Sequence, residues 1–340
     1  MSGDAALVDG YDAALFDLDG VVYLGPVAVV GAVDGIAELR RRGCTLGFVT
    51  NNAARSPRAV AEHLVELGIE AGKSDVVTSA QAAAHLLVAR FGPGARILTV
   101  GGEGVLDALA ESGLQAVRSA DDDPVAVIQG FGLALAWQEL NEAAIAINRG
   151  AYWVATNDDP TRPTDRGLVP GNGAAVAAVR FAVSVTPEVA GKPYRPLLDD
   201  TIARLGATHP IFVGDRLDTD IAGAVNAGLD SLLVLSGSHG PADLLAASPE
   251  SRPTHLGDDL TALLRPARVA RSDGDDWVVD GVTARAERGQ LQLHGSSEDP
   301  LAALWATAQL CWAAADRGEP LEVAEALTVL ARFRSVGDGS

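Results

Sequence analysis

Ala13-Ala14-Leu15-Phe16-Asp17-Leu18-Asp19-Gly20-Val21-Val22-Tyr23-Leu24-Gly25 is an apolar run that breaks into two carboxylates. Its opening residues carry no polar side chain, so it reads as a buried strand emerging at the end of a parallel sheet. Asp17 and Asp19 are two apart, and in extended chain they point to the same side. Gly20 then lets the backbone turn sharply. Two acids held side by side repel unless a cation or a shared proton lies between them. Alone, the pair fits a metal site, acid–base work or a plain surface turn, and the downstream sequence has to decide.

The chain after it alternates. Gly31 to Arg42 reads as an amphipathic helix stopped by Gly43, and Cys44 to Val49 as a second apolar strand ending in Thr50-Asn51-Asn52. Ser56-Pro57 opens another helix, and Asp75 to Thr78 is a third short strand. Such alternation predicts a parallel sheet with crossover helices, whose ligands gather at the carboxyl ends of strands. Asp17, Asp19, Thr50 and Asn51 all fall there. From 81 to 185 the strands Ile97–Val100, Val125–Ile128 and Tyr152–Thr156 alternate with helices, which predicts a second, smaller α/β domain inserted into the first. Gly101-Gly102-Glu103-Gly104 lacks dinucleotide-loop spacing and reads as a plain strand-to-helix turn. Asn157 to Gly173, dense in Pro, Gly and Asp, reads as a long loop, of the kind that is either functional or disordered.

Further on, Gly191-Lys192-Pro193 offers a compact cation beside a glycine. Only Lys73 and Lys192 are lysines among 26 basic residues, which singles out Lys192 as a point charge. The strand Pro210–Val213 runs into Gly214-Asp215-Arg216-Leu217-Asp218-Thr219-Asp220-Ile221, so Asp215 sits past a strand end as Asp17 does. Asp218 reads as the cap of the following helix and Asp220 as an acid in its first turn. From about 265 onward a module with a two-stranded ribbon and two helices follows, its tryptophans read as core. The expected fold is α/β: a doubly wound, Rossmann-like parallel-sheet core from 1–80 and 186–264, an inserted α/β domain at 81–185, and an α+β extension at 265–340.

A net charge of −19 argues against nucleic acid and anionic membrane surfaces as partners. No apolar run reaches the roughly 18 residues of a membrane span, and residues 1–10 lack a signal-peptide pattern. Cys44 and Cys311 are distant, with no disulfide or zinc spacing, so a reducing cytoplasm is expected. The acids form an all-oxygen donor set suited to Mg²⁺, while Thr50 and Lys192 suit a phosphate.

Taken in order, Asp17-Leu18-Asp19-Gly20-Val21, Val49-Thr50-Asn51-Asn52, Gly191-Lys192-Pro193 and Gly214 to Ile221 resemble the motifs of the haloacid dehalogenase superfamily of phosphatases. Ala155-Thr156-Asn157-Asp158-Asp159-Pro160 and Val169-Pro170-Gly171-Asn172-Gly173 resemble the C2-type cap of its subclass IIA. Within it the chain most resembles the glycerol 3-phosphate phosphatases of mycobacteria. The resemblance implies Asp17 as nucleophile and Asp19 as general acid–base. Mg²⁺ would be held by Asp17, the Asp19 carbonyl and Asp215, with Asp220 behind them. Thr50, Asn51, Asn52 and Lys192 would bind the phosphoryl group, and Arg162 would face the substrate from the cap. A basic residue often found two after Asn52 is replaced here by Ala54. The implied activity is hydrolysis of a small phosphomonoester, glycerol 3-phosphate first, with phosphoglycolate, nitrophenylphosphate and nucleotides as alternatives. Outside that class, a phospho-receiver signalling protein shares the acids, the Thr and the Lys, but it is shorter and has neither the D-x-D-G pair nor the insertion. A catalytically idle scaffold is the other rival, and a homo-oligomer stays open.

Overall fold

The computed structural model describes residues 5–164, 166–295 and 299–337. The chain divides into two compact units, one made of Met1–Thr45 with His209–Ser340 and the other of Leu46–Thr208.

In the first unit four parallel strands lie in the order His255–Gly257, Asp230–Val234, Pro210–Gly214, Ala13–Asp17. Leu15 pairs with Phe212, Phe212 with Ser231 and Leu232 with His255. Ala13 to Phe16 and Pro210 to Gly214 are buried throughout, as their unbroken apolar runs require. Because all four strands are parallel, their carboxyl ends share one edge, and Asp17 and Asp215 both arrive there. A short hairpin that the sequence did not announce, Tyr23–Leu24 with Val27–Ala28, follows the acidic turn.

The segment after 265 is wider than the expected two-stranded ribbon. Arg271–Asp273, Asp276–Val279, Val282–Glu287 and Gln290–Gly295 form a four-stranded antiparallel meander. Glycines at 274, 281 and 289 turn its corners at positive φ, signals too short and too polar to read as strand boundaries. The helix Pro300–Asp316 is capped by Asp299 and buried on nearly every face. It shares one core with Leu217, Ile221, Leu244, Leu245 and Leu256. Trp305 and Trp312 are part of that core and meet edge to face at 5.4 Å. This helix is part of the first unit's interior, while Arg271–Asp273 and Arg285–Glu287 of the meander stay exposed.

In the second unit Phe48, Val49 and Thr50 pair in parallel with Val76, Val77 and Thr78. Ser56 caps the helix Pro57–Glu66 and Thr78 caps Ser79–Phe91. Residues 96–189 contain a five-stranded parallel sheet in the order Glu188–Val189, Tyr152–Ala155, Ala126–Gln129, Arg96–Val100, Gln115–Val117. Within the expected long loop, Thr161–Thr164 and Gly167–Pro170 form an antiparallel hairpin. Its prolines hid it, but a two-stranded ribbon leaves one edge of each strand unpaired and tolerates them. No helix among the described residues is long and apolar enough to cross a membrane.

Candidate active site

The first unit gathers carboxylates. Asp17, Asp215 and Asp220 each offer an oxygen, and these three oxygens lie within 4.8 Å of one another. Asp215 and Asp220 are buried and Asp17 is half-buried. Two unit charges about 4 Å apart repel by about 4 kcal/mol at an effective dielectric near 20, so three such groups call for a cation.

The backbone around them is built to hold the acids still. Asp220 Oδ2 accepts the Asp215 N–H at 3.2 Å and the Arg216 N–H at 3.1 Å. Asp218 does not cap the helix. It turns outward and pairs with Arg216 at 2.7 Å, and that pair holds its carboxyl below the ordinary range against the opposing effect of its burial. Asp220 lies in the first turn, as expected, and the wide π-type turn Leu217–Ile221 brings its carboxylate back over the strand end. Asp215 Oδ2 accepts the Ser238 N–H at 2.6 Å. A side chain at either Gly20 or Gly237 would collide with the Asp215 carboxylate. The donor set, all carboxylate oxygens in a backbone cradle, fits a hard divalent ion such as Mg²⁺. Asp19 lies two residues beyond the strand, exposed, and bridges to Tyr23. It stands outside the three-carboxylate cluster.

Sequence reading missed Ser236 to His239. Ser236 Oγ donates to the Gly20 carbonyl at 2.7 Å, and His239 Nδ1 accepts the Leu217 N–H at 2.9 Å. The available signal was position: this Ser-Gly-Ser-His run follows the strand Asp230–Val234 at the same sheet edge as Asp17 and Asp215.

The second unit gathers the neutral and cationic candidates. Thr50 is buried at its strand end, and its Oγ1 accepts the Asn52 N–H at 3.1 Å. Exposed Asn52 closes the next turn by accepting the Ala54 N–H. Lys192 is only 2% exposed, which is rare for an ammonium group without a functional reason. The side-chain amide of Asn51 grips its backbone with two hydrogen bonds, accepting at 2.8 Å and donating at 3.0 Å. Asn51 also donates to Asp159 at 3.2 Å, and its carbonyl accepts from Ser79 Oγ at 2.6 Å and Asn157 Nδ2 at 2.7 Å. Asn172 in turn donates to the Asn157 carbonyl at 2.7 Å. Thus the Thr50, Lys192 and Asn157 segments are pinned together. Asn157 and Asn172 were legible only as parts of a motif, not as links in this network. Arg162 lies on the hairpin three residues beyond Asp159, its guanidinium against Phe131.

Residues 14–115 match the haloacid dehalogenase-like hydrolase family, and residues 189–263 match a HAD-hydrolase-like family. The chain is 44% identical over 313 residues to the D-glycerol 3-phosphate phosphatase of Mycobacterium tuberculosis, covering 91% of this chain and 88% of that protein. It superposes on the crystal structure of a glycerol phosphate phosphatase from the same organism in complex with magnesium. That match has a TM-score of 0.86 at 42% identity and covers 97% of this chain and 99% of the other. The p-nitrophenyl phosphatase from Archaeoglobus fulgidus matches at TM-score 0.70 and 26% identity, covering 75% of this chain and 98% of that one. With carboxylates clustered at strand ends and relatives matched over nearly their whole length, the chain belongs to the haloacid dehalogenase-like hydrolases.

Proposed function

We propose that this protein is a cytoplasmic, Mg²⁺-dependent phosphomonoester hydrolase acting on glycerol 3-phosphate through an aspartyl phosphate. The carrying observation is the convergence of Asp17, Asp215 and Asp220. Glycerol 3-phosphate is favoured over nitrophenylphosphate because the match to the glycerol phosphate phosphatase extends over 97% of the chain, against 75% for the nitrophenyl phosphatase. The free thiols of Cys44 and Cys311 suit a reducing compartment.

In this reading an Asp17 carboxylate oxygen attacks phosphorus, and the bond from phosphorus to the glycerol oxygen breaks. Asp19, exposed at the strand end, gives its proton to that leaving oxygen. Water then attacks the aspartyl phosphate and returns a proton to Asp19, releasing inorganic phosphate and restoring Asp17. Thr50, the Asn51–Asn52 backbone and Lys192 supply donors and positive charge to the phosphoryl oxygens. Asn51 contributes through its main chain, since its side chain is engaged with Lys192 and Asp159. Asp17, the Asp19 carbonyl and Asp215 would hold Mg²⁺, with Asp220 fixing the loop behind them, and the ion when bound neutralises phosphoryl charge. Residues 81–185 serve as the cap and Arg162 faces the leaving group.

The test is inorganic phosphate release by the purified protein with Mg²⁺ against a panel of small phosphomonoesters, ranked by kcat/KM. Glycerol 3-phosphate should rank first, with many turnovers per chain. A single stoichiometric phosphorylation would instead indicate a receiver, and a better rate on phosphoglycolate would displace glycerol 3-phosphate.

A further inference from the structure

Arg162 is held by a ring. Its Cζ lies 4.7 Å from the centroid of Phe131, and its enclosed Nε has no hydrogen-bond partner among the described residues. An enclosed N–H without an acceptor asks for an explanation. Stacking on an aromatic face fixes the plane of a guanidinium and leaves the N–H groups on its rim to a partner in that plane.

Phe131 is itself held in place. It follows the strand Ala126–Gln129, and its carbonyl accepts the Gly102 N–H at 3.2 Å. A Cβ at Gly132 would lie 2.9 Å from the Gly102 nitrogen, so the two turns are pressed backbone to backbone. The Gly101-Gly102 turn, read from sequence as a plain strand-to-helix turn and found as one, is what the Phe131 backbone rests on.

The Arg162 hairpin is tied at its base to the Lys192 segment. The Gly171 N–H donates to the Pro160 carbonyl at 2.9 Å and the Gly173 N–H to the Asp159 carbonyl at 2.8 Å. Asp159 receives Asn51, which grips Lys192. Three residues of chain from Asp159 to Arg162 span at most about 11 Å.

We infer that Phe131 is a positioning residue that presents the Arg162 fork to a leaving group with two neighbouring oxygen acceptors, such as the vicinal hydroxyls of glycerol 3-phosphate. The inference rests on the phosphatase reading above. Phe131 sets specificity through Arg162 and touches no reacting atom.

The experiment compares kcat/KM for glycerol 3-phosphate with that for phenyl phosphate, whose leaving group carries no oxygen besides the one bound to phosphorus. Phe131→Leu should lower the ratio about tenfold, within the range of a desolvated cation–π contact, mainly through KM for glycerol 3-phosphate. Phe131→Tyr should restore it. Arg162→Lys, which keeps the charge and loses the plane, should lower the ratio as much without disturbing Phe131's packing. The double variant Phe131→Leu/Arg162→Ala should be no worse than Arg162→Ala alone. Equal losses on both esters, additive losses in the double variant, or an Arg162→Lys enzyme with the wild-type ratio each overturn the assignment. A wild-type protein that hydrolyses neither ester overturns the phosphatase reading and this inference with it.

Discussion

Asn51 and Lys192, 141 positions apart, form a closed ring: the Lys192 N–H donates to Asn51 Oδ1 at 2.8 Å and Asn51 Nδ2 donates to the Lys192 carbonyl at 3.0 Å. Asn51→Asp keeps the acceptor but sets a carboxylate oxygen against that carbonyl. We expect kcat/KM to fall about 100-fold, the size of loss an ångström of misplacement can cause. Asn51→Ala leaves two main-chain groups unsatisfied, at about 1–3 kcal/mol each. Steady-state kinetics beside thermal unfolding separates the two effects, and an Asn51→Asp enzyme with wild-type kinetics would show that the ring is incidental.

Asp17→Asn should fold normally and release no measurable phosphate. The substitution is nearly isosteric at a half-buried strand end, and it removes the nucleophilic oxygen. Circular dichroism and a phosphate assay suffice. Turnover by this variant would sink the aspartyl-phosphate mechanism.

Chelation should abolish turnover, and Mg²⁺ should stabilise the fold by relieving carboxylate repulsion. At 100 times its Kd the ion is worth about 2.7 kcal/mol, readable as a rise in Tm. Asp220→Asn keeps an acceptor for the Asp215 and Arg216 amides, so it should fold. The Mg²⁺ concentration for half-maximal rate should nonetheless rise about 10- to 100-fold. An unchanged Mg²⁺ requirement would remove Asp220 from the ion's surroundings.

His255 gives a pH dependence. Burial pushes its imidazole below the usual value, against the opposing pull of Asp230. The Tyr11 hydroxyl donates to Asp230 at 2.8 Å and lies 3.2 Å from His255 Nε2. An unfolded histidine titrates near about 6.5, so below that pH the unfolded chain binds more protons than the folded one. This contribution to stability is complete above about 6.5 and is lost as pH falls through the folded value. Urea midpoints should therefore decline between pH 7.5 and 5.5 in the wild type and decline less in His255→Gln. Parallel slopes would contradict it.

Truncation after Arg265 should give an insoluble or unfolded first unit. It strips the Pro300–Asp316 helix from Leu217, Ile221, Leu244 and Leu256, a core that continues into the Asp220 turn. It also breaks the Trp312 Nε1 hydrogen bond to the Leu244 carbonyl at 2.9 Å and the two-pronged Arg252–Asp316 pair at 2.7 Å. Trp312→Ala alone should cost about 3–5 kcal/mol. A soluble, active truncate would refute this.

The parallel strands and their acidic ends were legible because long apolar runs leave few alternatives. Asp17 and Asp215 could be placed on one edge from strand ends alone. Asp220 lies in the first turn as read, but Asp218 caps nothing, because a π-type turn does not follow the 3.6-residue period from which caps are read. The hairpin around Arg162 was hidden by prolines, and the 271–295 meander by strands of only three to six residues. Asn157, Asn172, Ser236 and His239 act on main-chain atoms of distant residues, and such partnerships leave no local trace in a sequence.

Gly20 and Gly237 press on one carboxylate from two separate loops. A single methyl group at either position would dislodge Asp215 while leaving every acid in the chain intact. Inactivating alleles of this enzyme need not touch anything that a chemist would name as a ligand. A sequence survey that checks only the aspartates would pass such a protein as functional.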